Sequence, residues 1–165
     1  MSWRDIETAI QGDLDAEKLR QQRRTLRSES INDGWWELWT DAISCVTADA
    51  GELDKKLQNA RLLSLGNNLG VVKLDEYHYL VQNPAFPKVS IDLVCKPAKS
   101  ITVTGTMCQS AFRSQQIHPS RFTFDADMNY QPYLAEETRG CFSSSQLADL
   151  VMDKIAEFFR GVASR

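Results

Sequence analysis

The stretch DADMNYQPYLAE, residues 125–136, offers a set of oxygen ligands at a spacing that could do chemistry. Asp125, Asp127, Asn129 and Glu136 occupy positions 1, 3, 5 and 12 of an EF-hand loop, where a hard cation such as calcium takes carboxylate and amide oxygens. Three departures oppose that use. Tyr130 stands where the sharp turn needs glycine, Pro132 replaces an aliphatic residue, and the preceding residues read as strand instead of helix. Acids and amides at a strand end are also ordinary turn chemistry. Calcium is therefore kept as the alternative, and no metal site or cofactor is assigned.

A second candidate is basic. KLRQQRRTLR, residues 18–27, places Arg20, Arg23, Arg24 and Arg27 on one side of a helix, with Lys18 beside them. Such a face suits phosphates or an acidic protein, or it is a solvated face balanced by the nearby Asp13, Asp15, Glu17 and Glu29. The chain has net charge −3 and no aromatics interleave the arginines, so nucleic acid is not the expected partner. With Leu19, Leu26 and Trp36 these residues form the expected protein-binding surface.

The remaining chemistry is sparse. His78 and His118 stand at no ligand spacing with Cys45, Cys95, Cys108 or Cys141, and the sequence does not bring them together in space. No nucleophile elbow, phosphate loop, HExxH or dinucleotide fingerprint is present. The cysteines lack CxxC pairs and read as reduced, mostly buried thiols. The leading expectation is a non-enzymatic binding or chaperone-like protein. The alternative is a small-ligand site or enzyme between the sheet and the loops 109–120 and 128–142, which hold Arg113, His118, Tyr130, Tyr133, Glu136 and Arg139.

The tryptophans of NDGWWELWTDAI, residues 32–43, read as core. Trp35, Leu38, Trp39, Ala42, Ile43 and Val46 follow the spacing i, i+3, i+4, i+7, i+8, i+11 of one helical stripe. Trp36 falls about 100° round the helix from Trp35. It is expected to cover the edge of the sheet.

These residues must be positioned by an α+β fold with a helical N-terminal third, an antiparallel meander of about five strands, and a closing C-terminal helix. Residues 1–31 form a helical arm, broken at Gly12 and ended by residues 32–34. Residues 35–66 form two helices, the second opened by a capping box at Asp49 and Glu52. After Gly66 the period changes from 3.6 to 2, and β-branched runs alternate over 69–127. KPAK, between the runs ending near Cys95 and starting near Ile101, predicts a hairpin. Residues 144–160 form the last helix, capped by Ser143 with Gln146 and ended by Gly161. This order is similar, in topology alone, to small secretion-chaperone-like and frataxin-like proteins, and no motif assigns a family.

The whole length of 165 residues suits one domain, and no apolar run is long enough to span a membrane. The start of the chain has no continuous apolar region of the secretory type, so a cytoplasmic location is expected. Residues 14–31 make a narrow apolar stripe that gains little from the sheet. A homodimer that exchanges the arm, through Leu19 and Leu26, is the expected assembly.

Overall fold

The computed structural model describes residues 2–164. One helix, α1 (Trp3–Asn59), precedes eight strands and a second helix, α2 (Ser144–Ala163). The strands are β1 (Gly70–Asp75), β2 (His78–Gln82), β3 (Lys88–Lys96), β4 (Ser100–Ser110), β5 (Arg113–Gln116), β6 (Ser120–Ala126), β7 (Pro132–Glu136) and β8 (Gly140–Phe142). All pairings are antiparallel, in the order β1-β2-β3-β4-β6-β7-β8. The α+β class is as expected, with eight strands instead of about five.

The long β4 serves two partners on one edge. Its first residues pair with β6, from Ser100 opposite Thr123 to Val103 opposite Ser120. Its later residues pair with β5, from Thr106 opposite Gln116 to Ser110 opposite Arg113. Gly105 lies between the two sets, and a Cβ there would meet the Ser90 carbonyl oxygen at 2.4 Å. The hairpin at residues 97–99 joins β3 to β4 in the expected place, Lys96 opposite Ser100.

The N-terminal third departs from the expected three breaks. α1 runs unbroken through Gly12, residues 32–34 and Asp49. Its N-cap is Ser2, whose hydroxyl accepts from the Asp5 amide while the Asp5 carboxylate accepts from Ser2. Asn32, Asp33 and Gly34 are poor helix formers, yet the ladder continues because the turns on both sides are already formed and packed. Gly34 is used for close approach, since a Cβ there would meet Pro132 Cγ at 2.4 Å. The helix ends at Asn59, before the expected stop, and Arg61 and Gly66 take positive φ.

Strands β5, β7 and β8 fall in the two segments expected to be loops. β5 is exposed throughout, so it carries no alternating apolar face to be read. α2 has the expected Ser143–Gln146 capping box, but it continues through Gly161 to Ala163.

The core lies between one face of the sheet and the two helices. Trp39, Ala42, Ile43 and Val46 of α1 are buried there with Val81, Ile91, Leu93, Ile101, Phe122 and Leu134 of the sheet. Leu147, Val151, Ile155 and Phe159 bring in α2. The other sheet face carries half-exposed polar residues such as Ser90, Asp92 and Thr104, so the architecture is two layers. Among the described residues no helix is long and apolar enough to cross a membrane.

Candidate functional site

Residues 2–29 are exposed along their whole length. The first 20 residues of α1, Trp3 to Gln22, project as a rod about 30 Å long, from 1.5 Å of rise per residue, and contact with the body begins at Arg23. Because the helix passes through Gly12, Leu14 joins Trp3, Ile6 and Ile10 on one stripe at i, i+3, i+7 and i+11. Trp39 lies about ten turns beyond Trp3 on the same line. The arm thus continues the face that packs on the sheet, but past the point where the sheet reaches. Trp3, Ile6, Ile10 and Leu14 remain 68%, 47%, 54% and 59% exposed.

Leu19 and Leu26 are exposed too, roughly 150° round the helix from that stripe. Arg20 pairs with Glu17 at 3.0 Å within the helix, Arg24 faces solvent, and Arg23 borders the cleft at the β6–β7 turn. Arg27 is committed to the chain's own body. Its Nη2 donates to Asp125 Oδ1 at 2.7 Å and to the Ala126 carbonyl at 3.1 Å. Ser30 donates to the Tyr130 carbonyl, which fixes the β6–β7 turn against the root of the arm.

Trp36 covers an edge, as expected, and keeps part of its ring in solvent. It stands edge-on to Trp35 and Tyr77, with ring centres 5.6 and 6.4 Å away, and is 44% exposed. Trp39 is fully packed, its indole N–H donating to the Glu76 carbonyl at 2.9 Å.

The oxygen set of residues 125–136 is not assembled around one point. Asp125 holds Arg27, and Tyr133 donates to its other oxygen at 3.4 Å. Asp127 turns its carboxylate inward, where Oδ1 accepts from the amides of Asn129 and Gln131 at 2.8 and 2.9 Å. Glu136 accepts from the Thr138 hydroxyl, which lowers its pKa. Among the described residues no three His, Cys, Asp or Glu side chains converge as a metal site would require. The pattern marks the tight β6–β7 turn, with Tyr130 at φ 59° in place of glycine.

The residues of the alternative ligand site are separated. Tyr130 and Tyr133 line a cleft of about 630 Å³ with Arg23, Arg27 and Met128 at the root of the arm. Burial, and next the Asp125 charge, push the Tyr133 phenol above its ordinary pKa. His118 lies beyond β5, where its carbonyl accepts from Lys154 at 3.4 Å, and Arg113 lines a separate hollow beside Phe112. Arg139 lines neither place. His78 Nε2 meets Asp92 Oδ1 at 2.7 Å across β2 and β3 on the open sheet face, and among the described residues no hydroxyl or thiol bonds to the pair.

A groove between α1 and α2, about 460 Å³, was not legible in the sequence. Its floor is Leu53, Leu57, Met152 and Phe159, and Asp49, Glu52, Asp149 and Asp153 stand around it. Burial first, then the charges of Asp149 and Glu52, raise the Asp49 pKa. The folded form keeps that proton to higher pH than the unfolded chain. The resulting penalty grows as pH rises from the ordinary carboxylate range through the raised value, and is constant above it. Asp49→Asn is therefore expected to raise the melting temperature near neutrality, with the gain vanishing in acid. A gain that is larger in acid than at neutrality would reverse this assignment.

The thiols divide by position: Cys95 is buried, Cys45 and Cys108 half-buried, and Cys141 exposed. This is less burial than the composition suggested. Desolvation pushes the Cys95 thiol up to about 12, so it stays protonated at neutral pH. With a thiol reagent on the native protein, Cys141 is expected to react first and Cys95 only on unfolding. Peptide mapping of the labelled sites checks the order, and early label on Cys95 would contradict it.

Fold and surface together define a two-layer α+β protein with a projecting helical arm. The chain matches no family model, no curated protein and no solved structure.

Proposed function

We propose that this protein is a non-enzymatic binding protein of chaperone-like type, and that it acts through the arm of α1. One observation carries the reading. Trp3, Ile6, Ile10 and Leu14 form an apolar stripe on a helix of which residues 2–29 are exposed, and among the described residues nothing covers it. A helix of this length gains little stability by itself, and large apolar side chains held in solvent on one face mark an interaction surface. Trp is also among the residues that most often dominate binding energy.

A photo-crosslinking amino acid in place of Ile10, introduced in the producing cell, tests this. A discrete adduct is expected there, and none from the same residue in place of Glu157 on α2. The absence of any adduct from the arm would overturn the reading.

The cleft at Tyr130, Tyr133 and Arg23 supports a second reading, a small anionic ligand held at the root of the arm. A thermal-shift panel of metabolites on the intact protein, repeated with Arg23→Ala, distinguishes it. A ligand-dependent shift lost in that variant would move the function to the cleft.

A further inference from the structure

The arm carries two blocks of opposite charge. Residues 4–17 hold five carboxylates (Asp5, Glu7, Asp13, Asp15 and Glu17) against Arg4, a net −4. Residues 18–27 hold five bases (Lys18, Arg20, Arg23, Arg24 and Arg27) and no acid, a net +5, of which Arg27 is already paired with Asp125 of its own chain. Both blocks lie on one continuous helix, so they cannot fold back on each other. Among the described residues the ion pair across their junction is Glu17 with Arg20, one turn apart and exposed.

From this segregation we infer that the arm pairs with the arm of a second copy of the chain, antiparallel, about a two-fold axis near the junction of Glu17 and Lys18. The inference rests on the binding reading above and names the occupant of the stripe. An antiparallel seam lays the acidic block of each copy along the basic block of the other. A parallel seam would set five bases against five bases, an arrangement that like-charge repulsion opposes.

The apolar residues fit the same arrangement. Reflection about that axis brings Ile10 and Leu14 of one copy level, within a residue, with Arg24 and Arg20 of the other. Arginine stems cover apolar surface while their guanidinium groups reach outward, here to Asp13 at the flank of the stripe. Arg24 continues the line of the stripe, and Leu19 and Leu26 face away from the seam, which reverses the contact expected from spacing alone. The contact is self-complementary, as a two-fold interface requires. An anionic membrane suits this stripe poorly, because the block that carries it is itself acidic.

Light-scattering chromatography over a tenfold concentration range tests the pairing. The intact chain is expected at twice 18.7 kDa, and a chain lacking residues 1–22 at the mass of one folded copy. Arg20→Glu with Arg24→Glu, and separately Asp13→Lys with Asp15→Lys, are each expected to give monomers. Mixing these two variants is expected to restore dimers, because one acidic and one basic block again match.

Cysteine substitution reads the direction. Glu17→Cys, near the axis, is expected to form an inter-chain disulfide at that site. Ile10→Cys is not expected to bond to its own counterpart, whereas a parallel pair would cross-link at both.

An intact chain of 18.7 kDa throughout, or a dimer that survives arm deletion or charge reversal, overturns self-pairing. Cross-linking of Ile10→Cys to its counterpart overturns the antiparallel direction. A monomer whose Ile10 photo-adduct holds a different protein would sink self-pairing and leave the binding reading standing.

Discussion

Asn83→Ala is expected to cost on the order of 2–5 kcal/mol, as much as the loss of a large core side chain. The Asn83 side chain ties the β2–β3 connection to the segment after α1. Its Oδ1 accepts from the Val89 amide at 2.8 Å, and its Nδ2 donates to the Pro87 carbonyl at 2.7 Å. Nδ2 also reaches the Ala85 carbonyl and Asn67 Oδ1, both at 3.0 Å. Asn67 then bonds Ala85 through its own amide group. Asn83 and Asn67 are 0% and 1% exposed, so water does not replace these bonds. Truncation leaves the Val89 N–H and the Pro87 carbonyl without the partner they have here, at about 1–3 kcal/mol for each buried group left unsatisfied. Urea unfolding at constant m-value measures the loss. Asn68→Ala, at an exposed neighbour, is the control expected within about 0.5 kcal/mol of the parent. A loss at Asn83 no larger than that control would mean that the connection is held by packing alone.

Ile155→Ala is expected to cost about 2–5 kcal/mol, the range for emptying a well-packed core site. Ile155 is fully buried where α2 meets the sheet, while Leu150 keeps 9% of its surface. Leu150→Ala should therefore fall toward the lower end, because a site at the rim can relax or admit water. Leu19→Ala on the arm should lie within about 0.5 kcal/mol of the parent when measured on monomer. The order Ile155, Leu150, Leu19 is the test. An Ile155 variant as stable as the parent would mean that α2 packs through another face.

Sequence periodicity carried the parts of the fold where burial is one-sided. The stripe from Trp35 to Val46, the alternation in β3 and β4, the hairpin between them and the Ser143–Gln146 capping box were legible for that reason, whereas the box read at Asp49 and Glu52 lies inside α1. It misled where local propensity and context disagree. Residues 32–34 have the composition of a turn, yet the glycine among them lets the helix approach Pro132. β5 and β8 are short and mostly exposed, and an edge strand with no buried face leaves no period to detect. β7 was hidden by its proline and polar neighbours, although Leu134 is fully buried.

The geometry of the arm was legible in part. Arg20, Arg23 and Arg24 were found by their spacing, but only the unbroken helix puts Leu14 in line with Trp3 and turns Leu19 away from it. The groove between α1 and α2 joins Asp49, Glu52 and Lys56 to Asp149, Asp153 and Arg160 across two elements far apart in the chain. No local pattern encodes that meeting.

The continuity of α1 also has a consequence in time. One ladder of backbone hydrogen bonds passes from a segment exposed all round to a segment packed along one face on the core, so amide exchange along this single helix should be steeply graded. At the exposed end, opening is local fraying and needs almost no free energy; around Trp39 and Val46 it needs the whole protein to unfold. Each amide between is a graduation on a built-in scale. Whatever seizes the arm would be seen first as slowed exchange in its opening turns, while the far end of the same helix kept its rate.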